Sequence, residues 1–127
     1  MPPVAPKKYR VMIVDDSAFM RKVLETILNS DDQLQVVGTA KDGREAVALA
    51  ESLKPDVITM DINMPHVDGL QATAQIMTTN PRPIVIVSSE SKEGATSFLT
   101  KPVQEDQLIA AVEQLIGSEA TRPLTVA

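Results

Sequence analysis

Three aspartates that directly follow apolar runs are the residues whose type and spacing point first to chemistry. Asp15 and Asp16 follow the run Arg10–Val14, and Asp61 follows Val57–Met60. A single aspartate after a strand is commonly a turn or helix-cap residue. Three carboxylates in one cleft, however, repel by about 4 kcal/mol per pair at about 4 Å and an effective dielectric of about 20. Such a cluster needs protonation or a divalent cation, and all-oxygen ligands favour Mg²⁺ or Mn²⁺.

A serine and a lysine follow two further apolar runs and extend this set toward phosphate chemistry. Ser88 comes after the run 84–87, and Lys101 comes after the run 98–100. A hydroxyl and an ammonium group can both hold phosphate oxygens, and the carboxylate of Asp61 can act as a nucleophile. Each residue alone is most often an ordinary surface residue. Their shared position after strands makes a phosphoryl-transfer site the stronger interpretation.

The spacing of apolar residues predicts strands that alternate with helices. Short apolar runs bounded by turn residues predict strands at 10–14, 34–40, 57–60, 84–87 and 98–100. Helical spacing predicts helices that start at Ser17 and that cover 43–53, 69–78 and 104–116. This alternation is typical of a doubly wound α/β fold with a parallel sheet. Sites in such sheets lie beyond the carboxyl ends of the strands, which is where the aspartates, the serine and the lysine stand.

The composition excludes several classes of protein. The chain has 127 residues, enough for one domain, and 43% of them are hydrophobic. A net charge of −5 argues against direct binding to nucleic acid or to an anionic membrane. The sequence contains no cysteine, and no apolar run approaches the roughly 18 residues of a membrane span. We therefore expect a cytoplasmic protein with a flexible leader at 1–9, one domain at 10–117 and a disordered tail at 118–127.

The site residues lie in motifs that resemble those of response-regulator receiver domains, the CheY-like family, and that follow the family's order. These motifs are Val14-Asp15-Asp16-Ser17, Asp61-Ile62-Asn63-Met64-Pro65, Asp68-Gly69, Val87-Ser88-Ser89 and Lys101-Pro102. The resemblance covers roughly residues 9 to 117. Within the family, the motifs are most similar to those of the receiver domain of CheB-type chemotaxis methylesterases. It implies a flavodoxin-like sheet of five parallel strands in the order 2-1-3-4-5.

The resemblance also implies a phosphorylation switch of a two-component system. Asp61 would accept a phosphoryl group from a sensor histidine kinase or a phosphotransfer protein and lose it again by self-dephosphorylation. Ser88 and Lys101 would hold the phosphate oxygens. The implied Mg²⁺ (or Mn²⁺) ligands are Asp15, Asp16, Asp61 and the backbone carbonyl of Asn63.

The sequence departs from that family between the fourth and fifth strands. Only nine residues, 89–97, separate Ser88 from Phe98, whereas a crossover between parallel strands normally needs about a dozen residues or more and often contains a helix. The family's fourth helix is therefore predicted to be absent or vestigial. So short a connection motivates the hypothesis of a homodimer, swapped through the fifth strand and the helix after it.

An enzyme and a non-switching scaffold are the two alternatives to a receiver domain. An enzyme is disfavoured because the sequence lacks the Gly-x-Ser-x-Gly of a serine esterase, and it lacks the Gly-x-Gly-x-x-Gly and P-loop patterns of nucleotide sites. An Asp-nucleophile phosphatase would be expected to carry a second acid where Asn63 stands. A receiver-shaped scaffold or dimerisation module that no longer switches is the remaining alternative, and the shortened connection is what favours it.

Overall fold

The computed structural model describes residues 8–61, 64, 69–79, 81–88, 99–100 and 105–117 of the chain. Strands and helices follow one another as β1 (Tyr9–Val14), α1 (Ala18–Asn29), β2 (Leu34–Ala40), α2 (Gly43–Leu53), β3 (Val57–Met60), α3 (Gly69–Thr79), β4 (Ile84–Ser88), β5 (Leu99–Thr100) and α4 (Glu105–Gly117). None of the helices in these described ranges combines the length and the apolar character that a membrane span requires.

The strands form one five-stranded parallel sheet in the order β2-β1-β3-β4-β5, which confirms the predicted doubly wound α/β fold. β1 lies between β2 and β3, and its pairing with β2 skips one residue, Val37, between Val36 and Gly38. β5 pairs with β4 through Val87↔Leu99 and Ser88↔Thr100. The connection at 89–97, where the fourth helix of the family was predicted to be missing, lies outside the described residues.

The sheet is apolar on both faces, and each face has its own core. Alternate residues of the strands point to opposite sides, so Val11 and Ile13 pack with residues of α1 and α4, whereas Met12 and Val14 pack with residues of α2 and α3. All four of these strand residues are at most 1% exposed. A strand buried on both faces explains why the sequence shows continuous apolar runs rather than alternation.

The helices begin and end at residues that satisfy their free backbone groups. Ser17 caps α1 by accepting the N–H of Met20, and Asp42 caps α2 by accepting the N–H of Glu45. At the other end of α2, Lys54 adopts a left-handed conformation with φ 49°. Arg10 of β1 donates from Nη1 to the carbonyl oxygen of Leu53 at 2.6 Å, so its guanidinium compensates the negative end of α2.

The start of β1 differs by one residue from the predicted range. β1 already begins at Tyr9, whose N–H donates to the carbonyl oxygen of Gln33 at 2.8 Å, so the strand starts one residue before the predicted domain boundary. Residues 1–7 of the predicted leader and 118–127 of the predicted tail lie outside the described residues. In α1 the apolar residues cover more than one face: Leu24 and Leu28 are buried, but Phe19 is 74% exposed.

Candidate functional site

Backbone hydrogen bonds extend the central strands by one residue and align two of the predicted site residues. The N–H of Asp15 donates to the carbonyl oxygen of Ala40 at 3.0 Å, and the N–H of Asp61 donates to that of Val14 at 2.9 Å. Each aspartate is therefore fixed at the carboxyl end of its strand by a neighbouring strand. This is the edge at which a doubly wound sheet holds its ligands.

The three predicted aspartates come together at this edge. One carboxylate oxygen from each of Asp15, Asp16 and Asp61 lies within 4.8 Å of the other two. Asp15 is fully buried and Asp61 is 3% exposed, whereas Asp16 lies at the surface. The cluster thus has two carboxylates inside the protein and one at its mouth, where a group from solvent can approach.

The turn between β1 and α1 holds the first two aspartates. The N–H of Ser17 donates to Oδ1 of Asp15 at 2.9 Å, which closes an Asx-turn, and Ser17 in turn caps α1. Arg21, in α1, donates from Nη1 to the carbonyl oxygen of Asp15 at 2.8 Å. Sequence reasoning missed Arg21, because an arginine in the second turn of a helix carries no signal that distinguishes it from a surface residue.

The cluster suits a small divalent cation. Mg²⁺ binds oxygen ligands at about 2.1 Å in an octahedron, so two ligands on opposite sides of the ion are about 4.2 Å apart. The observed spread of at most 4.8 Å is close to this value. The donors are carboxylate oxygens, which are hard ligands for Mg²⁺ or Mn²⁺. Asp15, Asp16 and Asp61, which are part of the predicted site, are therefore able to hold a divalent metal ion.

The other predicted site residues are only partly within the described chain. Ser88 is the last residue of β4 and is paired in register with Thr100, the last residue of β5. The two strands therefore end at the same level. The side chain of Ser88 lies outside the described part of the structure. Asn63 and Lys101 lie outside the described residues. Their roles stay predictions.

Comparison with known protein families gives one match that covers most of the chain. The model described as the response regulator receiver domain matches residues 11–113.

Curated relatives include two proteins with the name protein-glutamate methylesterase/protein-glutamine glutaminase. The relative from Methanococcus maripaludis is 56% identical over 92 residues, which are 72% of this chain and 25% of that protein. The relative from Halalkalibacterium halodurans is 50% identical over 93 residues, which are 73% of this chain and 27% of that protein. The chain therefore spans about a quarter of the length of these relatives.

Solved structures show the same fold. The response regulator domain of Thermotoga maritima CheB is 40% identical with a TM-score of 0.83, and the match covers 90% of this chain and 100% of that one. CheY in a complex with CheX, BeF₃ and Mg²⁺ from Borrelia burgdorferi is 30% identical with a TM-score of 0.79, over 86% of this chain and 90% of that one. The likeness to a CheB receiver agrees with the resemblance found in the sequence motifs.

Proposed function

The chain belongs to the response regulator receiver domain family, and from this premise we propose that it is switched by phosphorylation of Asp61. A carboxylate oxygen of Asp61 attacks the phosphorus of a phosphohistidine. The O–P bond forms as the N–P bond breaks, and the electron pair of that bond stays on the histidine nitrogen. The acyl phosphate is later hydrolysed, which returns the switch to its initial state.

The observation that carries this proposal is the convergence of three carboxylates at the carboxyl ends of β1 and β3. Asp61 lies almost fully inside the protein, and its backbone is held by β1, so its oxygen is presented in a fixed position. Mg²⁺ would be held by Asp15, Asp16 and Asp61. A bound divalent cation supplies positive charge where the phosphoryl oxygens and the carboxylates bring negative charge.

Three further residues complete the proposed site. We assign the backbone carbonyl of Asn63 as another Mg²⁺ ligand, and Ser88 and Lys101 as donors to the phosphoryl oxygens. Ser88 stands level with the end of β5, and Lys101 follows that strand directly. The CheY relative that forms a complex with BeF₃ and Mg²⁺ supports the use of a divalent cation here.

We further propose that the chain serves a chemotaxis pathway in the cytoplasm, with a sensor histidine kinase or a phosphotransfer protein as phosphodonor. The support is the similarity to receiver regions of methylesterases and to a CheB receiver. We propose that these 127 residues act as a phosphoacceptor switch and not as a methylesterase, since the three aspartates converge in them and the sequence contains no Gly-x-Ser-x-Gly. A net charge of −5 gives the chain little affinity for nucleic acid or anionic lipid.

The proposed function is tested with a small phosphodonor. Wild-type protein, Asp61→Asn and Asp32→Asn are incubated with acetyl phosphate and Mg²⁺, and intact masses are recorded at once because acyl phosphates hydrolyse. We expect wild type and Asp32→Asn to gain the mass of one phosphoryl group, since Asp32 is an exposed aspartate far along the chain from the cluster. Asp61→Asn should gain none, and EDTA should abolish the gain in wild type and in Asp32→Asn.

Two outcomes would contradict the proposal in different ways. If wild type gains no mass, or if Asp61→Asn gains as much as wild type, Asp61 is not the phosphoacceptor. A labile adduct that leaves assembly and partner binding unchanged would instead support the alternative of a receiver-shaped scaffold that no longer switches.

A further inference from the structure

The guanidinium of Arg21 lies beside the acidic cluster without being one of its members. Its Nη1 donates to the backbone oxygen of Asp15 at 2.8 Å, and the contact is partly buried. The carbonyl oxygen and the carboxylate of one aspartate are only a few bonds apart, so the guanidinium lies within roughly 8 Å of the Asp15 carboxylate. This separation is no longer than the Debye length of about 8 Å at physiological ionic strength.

Two hydrogen bonds besides this contact also hold Asp15. Its N–H is bonded to Ala40 of β2, and its Oδ1 accepts the N–H of Ser17. The N–H of Arg21 itself donates to the carbonyl oxygen of Ser17 at 2.9 Å, as the first turn of α1 requires. Because backbone groups and Asp15 itself also hold the turn, the charge of the Arg21 side chain can be tested separately from its hydrogen bond.

We propose that Arg21 is a fixed counter-charge of the acidic cluster, which stabilises the metal-free site and lowers its affinity for Mg²⁺. This inference rests on the proposed function, since it concerns the same metal. A guanidinium is always charged at ordinary pH and attracts the three carboxylates when no cation is bound. When Mg²⁺ enters, the same charge repels it. Arg21 therefore raises the Mg²⁺ concentration at which the site is half occupied.

The next residue, Lys22, provides a control with the same formal charge. Lys22 is exposed and lines an open groove of about 270 Å³ on the outer face of α1, together with Phe19, Val23, Thr26 and Ile27. Removing its charge changes the net charge of the protein by the same amount as removing that of Arg21. Because its side chain is exposed to solvent, we expect its effect on a bound cation to be smaller.

The test compares wild type, Arg21→Met, Arg21→Lys and Lys22→Met. Mg²⁺ is titrated into each protein without phosphodonor, and binding is followed by the NMR shift of the Ser17 amide at low and at high KCl. We expect Arg21→Met to bind Mg²⁺ about two- to tenfold more tightly than wild type at low salt, and the gain should shrink at high salt. Arg21→Lys should bind nearly like wild type, and Lys22→Met should change less than Arg21→Met.

A second measurement uses the metal-free proteins. In EDTA, Arg21→Met should unfold at a lower temperature than Arg21→Lys, because the carboxylates lose their counter-charge. If Arg21→Met does not fold, Arg21→Gln takes its place. Mg²⁺ affinity in the neutral variant equal to that of wild type would overturn the inference, and weaker affinity would overturn it by showing that the side chain acts through position. If wild type itself binds no Mg²⁺, the proposed function fails and the inference with it.

Discussion

Within the part of the chain that the structure describes, carboxylates crowd together at two places, and at the residue scale the two places behave differently. In the cluster of Asp15, Asp16 and Asp61, two of the three groups are buried. Water therefore screens their repulsion poorly, and a bound cation would compensate their negative charge. The second place is the contact between Asp31, after α1, and Glu113 of α4. Glu113 is exposed, so here a shared proton and solvent can relieve the repulsion.

The contact between Asp31 and Glu113 predicts a dependence of stability on pH. A side-chain hydrogen bond to Asp31, with smaller effects of burial and of the negative charge of Asp31, raises the pKa of Glu113 above its ordinary value. A carboxyl whose pKa is raised in the folded state binds its proton more tightly there than in the unfolded chain. Its contribution is therefore fully present below the ordinary glutamate pKa of about 4.3 and is lost as the pH rises through the folded-state pKa.

We therefore expect Glu113→Gln to raise the melting temperature slightly at pH 7 and to leave it unchanged or lower at pH 4. The measurement is a set of thermal unfolding curves between pH 4 and pH 7, with Gln114→Glu as a control that adds an exposed carboxylate at the adjacent position. An equal effect of Glu113→Gln at both pH values would show that the pair carries no linked proton.

At the scale of elements, the ends of α2 show how local sequence and backbone conformation interact. Asp42 gives α2 a regular start, since its carboxylate accepts the N–H of Glu45 at 2.9 Å. Its end is less regular, because Lys54 must adopt φ 49° to turn the chain toward β3. The left-handed conformation is unfavourable for a residue with a Cβ by roughly 1–2 kcal/mol, and glycine usually occupies this position.

This conformation predicts that Lys54→Gly stabilises the protein. We expect the free energy of unfolding to rise by about 0.5–1 kcal/mol, less than the full penalty because glycine also makes the unfolded chain more flexible. Lys54→Ala removes the same side chain but keeps the Cβ, so it should not stabilise. Urea unfolding of both variants measures the difference, and equal stability of the two would show that the backbone conformation carries no strain.

At the scale of the whole molecule, β5 lies beside β4 in the sheet although few residues separate the two strands in the chain. Among the described residues, Leu99 and Thr100 of β5 pair with β4. Leu108, Ala111 and Val112 of α4 are buried in the core that also contains residues of α1. The packing of α4 thus attaches the last helix to the core, and β5 is joined to the sheet by its pairing with β4. The five strands of one chain form one sheet, so the sheet does not need a strand from a second copy.

The swapped homodimer that the short connection suggests stays a prediction of its own. If β5 and α4 exchange between two copies, sedimentation at rising protein concentration should show a dimer that dissociates slowly. Inserting a flexible Gly-Ser segment between residues 93 and 94 should shift the protein to monomer, because a longer connection lets the elements return to their own chain. A wild-type chain that remains monomeric at high concentration would contradict the hypothesis.

Much of the fold could be predicted from the sequence because its signals are local. The apolar run Val57–Met60 is β3 without change of bounds, and β2 and α2 also match their predicted ranges. The aspartates were identifiable because each follows such a run, and the ends of parallel strands meet at one edge. Strand order came from the family likeness, because residue patterns do not show which strands are neighbours.

Other properties were decided only by the tertiary structure. The apolar residues of α1 gave no sign that Leu24 and Leu28 would be buried while Phe19 stayed 74% exposed, because burial depends on what packs against each face. The side chain of Arg21 reaches the carbonyl oxygen of Asp15 only because α1 folds back beside the end of β1. The sequence by itself determined which carboxylates stand at the ends of strands. The approach of their oxygens to within 4.8 Å of one another required the folded sheet, since it brings Asp61 to Asp15 and Asp16, which are far from it in the chain.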